Sequence, residues 1–231
     1  DDDDDDGGGG GRYGVHVGCG YNTKLVVRNS SITHFGTAAV ATYTASGSYC
    51  EFELTDSQLA YSRTGLLAQH TSNQLDLTMT RCDIAHNAAV GVNVSMPAEV
   101  KMASTRVHHN AIGAVFTTAG KELKVNVADT LLDANGGDAV EAGAAAYFGA
   151  HTINNLYNVT VHNNKSNGKG ALYFGASSTS TIYACTLTRN KAPRVDGGAS
   201  AAYCEPSATF YGIDINASYN SKPASTCAGV A

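Results

Sequence analysis

Tryptophan is absent from this 231-residue chain, and charge is scarce, with Asp, Glu, Lys and Arg together at 15%. The basic residues are scattered and form no stripe, which excludes the electrostatic footprint of nucleic-acid binding. Net charge is −5, and most of it comes from the Asp run at residues 1–6, so the remaining chain is close to neutral. No apolar stripe of helical period is long enough to suggest a helical core. The longest small-apolar run, at residues 142–150, is far too short to span a bilayer. No basic-then-apolar leader opens the sequence, so the expectation is a removed signal or an excerpt of a longer protein. The six cysteines lack the C-x-x-C spacing of zinc or redox sites, and no metal or cofactor is expected from them.

Gly, Ala, Ser, Thr and Asn fill the space instead, a balance that suits a turn-rich β fold with a polar surface. The organising feature is a repeat. Its clearest copy is Cys82-Asp83-Ile84-Ala85-His86-Asn87, followed by Gly91-Val92-Asn93-Val94. The Asn slot recurs at Asn87, Asn110, Asn135, Asn164, Asn190 and Asn220, and Phe35 and Ser62 hold it in the earlier copies. Successive slots are 27, 25, 23, 25, 29, 26 and 30 residues apart. A period in the twenties with variable insertions is the signature of a solenoid.

Aligning the copies on the apolar residue three before the slot gives Ile32, Leu59, Ile84, Val107, Leu132, Val161, Leu187 and Ala217. Apolar residues also recur five and seven positions upstream, as in Leu54 and Phe52 or Met79 and Leu77, with polar residues such as Glu53 and Thr78 between them. That alternation is strand periodicity with one buried face. The aligned residue and the one two before it form a second strand, and the Gly-led segment a third. Three short strands per coil predict an all-β, single-domain parallel β-helix of about eight coils over residues 12–231. Each coil buries its inner face by stacking on its neighbours. Gly14-Val15-His16-Val17 matches the third strand, so the described repeat starts in an incomplete coil. Residues 1–11 read as a flexible leader or linker, because like charges repel and polyglycine has nothing to bury. The Asp run could collect Ca²⁺ loosely. The longest loops are expected at 135–150, 164–170 and 190–198.

The copies at 82–87 and at Cys185-Thr186-Leu187-Thr188-Arg189-Asn190, with Gly197-Gly198-Ala199 following, carry a family resemblance. They resemble repeats of the right-handed parallel β-helix (pectin-lyase-like) superfamily, and especially the polymorphic-outer-membrane-protein and autotransporter-type surface repeats. The resemblance covers about residues 12–220 and implies the fold. That scaffold serves lyases, hydrolases, adhesins and phage tailspikes alike, so it does not fix an activity. The N-T-D, D-D, G-H-G and R-I-K motifs of polygalacturonases are missing from the body of the chain, as is the D-P-H-D epimerase motif. Asp83 with Arg106 one coil above reads as a surface ion pair rather than as part of a lyase Ca²⁺ cluster.

The candidate chemistry lies in columns across coils. One residue past the aligned position stand His108, Asp133 and His162, expected to face outward and stack, with the Asp orienting a general base or holding a metal. The next column carries His34, Tyr61, His86 and His109, a row of polar rings that could stack on sugars. The Asn column reads as a structural ladder at a turn. Cys82 and Cys185 fall in an inward column four coils apart, too far to bridge, and act as small hydrophobes. Cys204 and Cys227, about one coil apart, are the candidate disulfide, with Cys19 and Cys50 a second pair. Sequons at Asn29, Asn93, Asn158, Asn164 and Asn216 lean toward a secreted, glycosylated protein. The sequence reading is therefore an extracellular, cell-surface structural or adhesive β-helix that associates with itself or with neighbouring repeats. A polysaccharide lyase or hydrolase and a carbohydrate-binding module are the alternatives.

Overall fold

A computed structural model describes residues 11–19, 22–44, 49–69, 74–119, 122–137, 140, 143–167, 169–192, 200–220 and 227. The Asp run, the Gly197-Gly198-Ala199 segment and residues 228–231 lie outside them.

The described chain is a stack of short strands in three parallel sheets of eight strands each, and no helix occurs among the described residues. One complete coil is Gln74–Thr80, Asp83–Ala85 and Val90–Ser95, which feed the first, second and third sheets in turn. The first described strand, Tyr13–Cys19, lies in the third sheet and the last, Asn216–Ser218, in the second. Eight strands make seven interstrand steps, so the described rod is roughly 34 Å long. The alignment read from the sequence is the observed register: Ile84, Val107, Leu132 and Val161 pair in succession. The longer repeats place their extra residues between the second and third sheets, as between Leu131–Asp133 and Ala146–Phe148.

Inward residues form apolar ladders. Phe52, Leu77, Val100 and Val125 stack in the first sheet, fully buried, and Phe116, Phe148 and Phe174 stack in the third with ring centroids 5.5 and 5.2 Å apart. Asn154 breaks the first row. It is buried, and its amide donates to the hydroxyls of Thr152 and Ser180 at 3.0 Å.

The Asn column forms a continuous hydrogen-bonded ladder. The side-chain oxygen of Asn135 accepts from both the backbone N–H and the amide of Asn110. The Asn135 amide in turn donates to the carbonyl of Val107 on the preceding coil and to Asn164 on the next. The same links recur from Asn87 to Asn220, and Ser62 and Phe35 extend them to the first coils. The ladder also explains the Gly-led third strand. A Cβ on Gly91 would sit 2.5 Å from the Gly113 carbonyl oxygen and 3.0 Å from the Asn110 amide nitrogen.

Two left-handed residues bend each coil. One column contains Asn29, Asp56, Arg81, Ser104, Asp129 and Asn158, and the other His34, Tyr61, His86, His109, Ala134, Asn163, Arg189 and Tyr219, all with φ between 48° and 68°. Asn and Asp tolerate this region well, whereas bulky side chains there are uncommon.

One disulfide, Cys19–Cys50, joins neighbouring coils, and the other, Cys204–Cys227, ties Cys227 to the last described strand of the third sheet. Cys227 is buried against the core, so it covers part of the last coil. Cys82 and Cys185 are free and buried, and burial pushes both thiols up, so they stay protonated. They are more than small hydrophobes. Cys82 donates to the carbonyls of Leu54 and Thr80, and its column mates Ser57, Thr105 and Thr130 donate to the carbonyl two residues before them.

Candidate functional site

The second sheet and the left-handed turn after it bring together the residues with chemical potential. His108 ends the strand Arg106–His108, with Ala85 of the coil below and Asp133 of the coil above as its register partners. The expected outward column is only partly open to solvent: Ala60, Ala85 and His108 are buried, whereas Asp133 and His162 keep side-chain exposures of 17% and 30%. His108 is covered by its neighbours, the His86 and His109 rings and the Asp83 carboxylate. The His86 and His109 rings meet the His108 ring edge-on, at 5.7 and 5.1 Å between centroids.

The expected His108–Asp133–His162 stack is not a connected triad. His162 Nδ1 lies 3.0 Å from Asp133 Oδ1, but His108 turns the other way and places Nε2 2.8 Å from Asp83 Oδ1. Asp133 instead has Arg106 at 3.7 Å. The expected Asp83–Arg106 ion pair is thus replaced by two other partnerships. Asp83 also accepts from the Gln58 amide at 3.3 Å, which fixes the carboxylate on both oxygens. Burial lowers the pKa of His108 and outweighs the opposing pull of Asp83, so the imidazole is neutral at pH 7.

His34, Tyr61, His86 and His109 form one stack, with successive centroids 5.1, 5.1 and 5.0 Å apart and planes 13°, 2° and 23° from parallel. This corrects the sugar-stacking expectation. The rings spend their faces on each other, so the row presents nitrogen- and hydroxyl-bearing edges to solvent. Beside it lies a shallow groove of about 550 Å³ lined by His34, Phe35, Tyr61, Ser62, Arg63 and His86. His86, His108 and His109 each bring a ring nitrogen within 4.8 Å of the others. The repeat columns divide these three between two rows, and the adjacent pair His108–His109 is their signal in the sequence.

A second exposed row was missed: Tyr157, Tyr183 and Ile213 stack outward on the first sheet, with Tyr211 beside them. Its signal is a repeated apolar residue four positions before Val161, Leu187 and Ala217. Of the sequons, Asn29, Asn158 and Asn216 are exposed and Asn93 is half-buried. Asn164 is corrected: it is fully buried, and its amide donates within the ladder, leaving no room for a glycan. Peptide mapping of secreted material should find sugar at Asn29, Asn158 or Asn216 and none at Asn164.

No helix among the described residues is long and apolar enough to cross a membrane. No curated protein and no solved structure matches the chain. The family model described as right-handed β-helix region matches residues 8–155, well over half of the sequence. With three parallel sheets and an internal Asn ladder already in place, the chain belongs to the right-handed β-helix family.

Proposed function

We propose that this chain is a non-enzymatic extracellular β-helix with a structural and adhesive role, working through the open end of its stack. It serves as a module of a larger surface protein or as a protomer of a fibre. One observation carries the reading. The inward residues of the first described coil, Val15, Val17, Leu25, Val27 and Ile32, are only partly buried, whereas their partners one coil on, such as Phe52, Leu54 and Leu59, are fully buried. A half-covered apolar row beside strands that are paired on one side only among the described residues is a template for another coil. The two disulfides and the exposed sequons support an oxidising, extracellular setting.

Sedimentation velocity tests the end contact. Wild type should populate species larger than one chain as concentration rises, and Val27→Lys should remain a single chain with little loss of thermal stability. Its long side chain can reach solvent from the uncovered end and repel a docking coil. Assembly that is indifferent to Val27→Lys would contradict the reading.

The groove beside His34, Tyr61 and His86 favours glycan binding as a second reading, through ring edges together with Ser62 and Arg63. A polysaccharide lyase or hydrolase would rest on the remaining Asp133–His162 pair. Release of unsaturated or reducing ends that disappears in a folded Asp133→Ala variant would favour the enzyme. Glycan-array binding without turnover would favour the module.

A further inference from the structure

We propose that His86, His108 and His109 form a binding site for one divalent transition-metal ion, with Asp83 as the outer partner that sets the ligating nitrogen of His108. The register and the turn together create the cluster. Adjacent strand residues normally point to opposite faces. Here His109 adopts φ 53°, which swings its ring to the same side as that of His108. His86 occupies the equivalent left-handed position one coil below, at φ 55°, and stacks on His109. One ring nitrogen from each of the three then lies within 4.8 Å of the other two.

The tautomer of His108 follows from its neighbours. The Asp83 carboxylate only accepts, so Nε2 of His108, 2.8 Å away, carries the proton. Its Nδ1 is therefore the lone-pair nitrogen, and it faces Nδ1 of His109 at 2.8 Å. Two nitrogens bound to one zinc ion at about 2.0–2.1 Å lie roughly 3–3.4 Å apart. The pair thus needs to open by only a fraction of an ångström for an ion to replace the shared proton. A carboxylate behind a ligating imidazole is the usual outer arrangement of histidine metal sites, and the Gln58 contact holds that carboxylate in place. His108 is buried while His86 and His109 are exposed, so the cluster is anchored on one side and open to an arriving ion on the other. Three imidazoles select zinc, copper or nickel over calcium or magnesium, which prefer oxygen.

The test is calorimetric titration of the full chain with ZnCl₂ in a non-chelating buffer, beside the double variant His86→Asn/His109→Asn and the single variant Asp83→Asn. Asn is chosen at 86 and 109 because it tolerates the left-handed backbone. Wild type should bind one ion saturably. The double variant should lose that site, and Asp83→Asn should weaken it by about 10- to 100-fold. Cobalt(II) added to wild type should give visible absorption bands that zinc displaces. If the double variant melts non-cooperatively, the Asp83→Asn affinity and the cobalt spectrum decide. The proposal is overturned by no saturable zinc binding in wild type, by unchanged binding in a folded double variant, or by calcium displacing zinc at equal concentration.

Discussion

Asn135→Ala should cost about 3–5 kcal/mol of folding stability, read as a lower denaturant midpoint, because it opens the ladder at its centre. The methyl group cannot replace the oxygen that accepts from Asn110 N–H and Nδ2, nor the amide that donates to the Val107 carbonyl and to Asn164. The Asn110 N–H and the Val107 carbonyl are then left without these partners in a part of the coil closed to water, since Asn110, Val107 and Asn135 are all buried. Each buried group left unsatisfied costs about 1–3 kcal/mol. Asn135→Ser should cost less, because Ser62 fills the equivalent slot and its hydroxyl accepts from Phe35 N–H at 3.1 Å. Asn220→Ala should cost least of the three, because Asn220 is half-buried and closes the ladder on one side only. Equal losses at positions 135 and 220 would show that the ladder does not act as a connected unit.

Phe148→Ala should destabilise by a similar amount, about 3–5 kcal/mol. The Phe148 ring is fully buried between Phe116 and Phe174, with planes 15° and 3° from parallel. Its removal leaves a ring-sized gap that collapse cannot fill, because the strands on either side are held at the interstrand spacing by their own hydrogen bonds. A solenoid is held together by nearest-neighbour interfaces, so a gap in the middle also weakens the coupling of the two halves. Chemical denaturation should therefore show a lower midpoint, with a shallower slope or two steps. Phe148→Leu keeps most of the volume and should stay within about 1.5 kcal/mol of wild type. A Phe148→Ala variant that unfolds like wild type would mean the Phe stack is ornamental to the core.

The repeat register was legible because equivalent residues must lie one above another. Once Ile84, Val107 and Leu132 were aligned, the three sheets, the inward rows and the Asn ladder followed, and the structure pairs those residues in that order. What alignment could not give was the direction of individual side chains near the turn. Alternation gives the face of His108 but not the covering of its ring by His86 and His109, and the left-handed residue at His109 lies beyond any strand rule. Nor does the register choose between partners. His108 has Asp133 directly above it yet bonds Asp83, because its buried ring tips toward the lower coil, where Gln58 already fixes that carboxylate. Column spacing likewise placed His34, Tyr61, His86 and His109 in line, but not the fact that rings roughly 5 Å apart would close their faces to a sugar. In place of a triad across three coils, the molecule holds a histidine cluster across two stacked turns and a partly covered first described coil.

Small-angle scattering across a concentration series tests the structural role most directly. If the first described coil is a docking end, the longest dimension should exceed one rod as concentration rises while the cross-section stays constant, and Val27→Lys should hold it at a single rod. A constant single-rod length at every concentration, or growth in cross-section instead of length, would contradict the account.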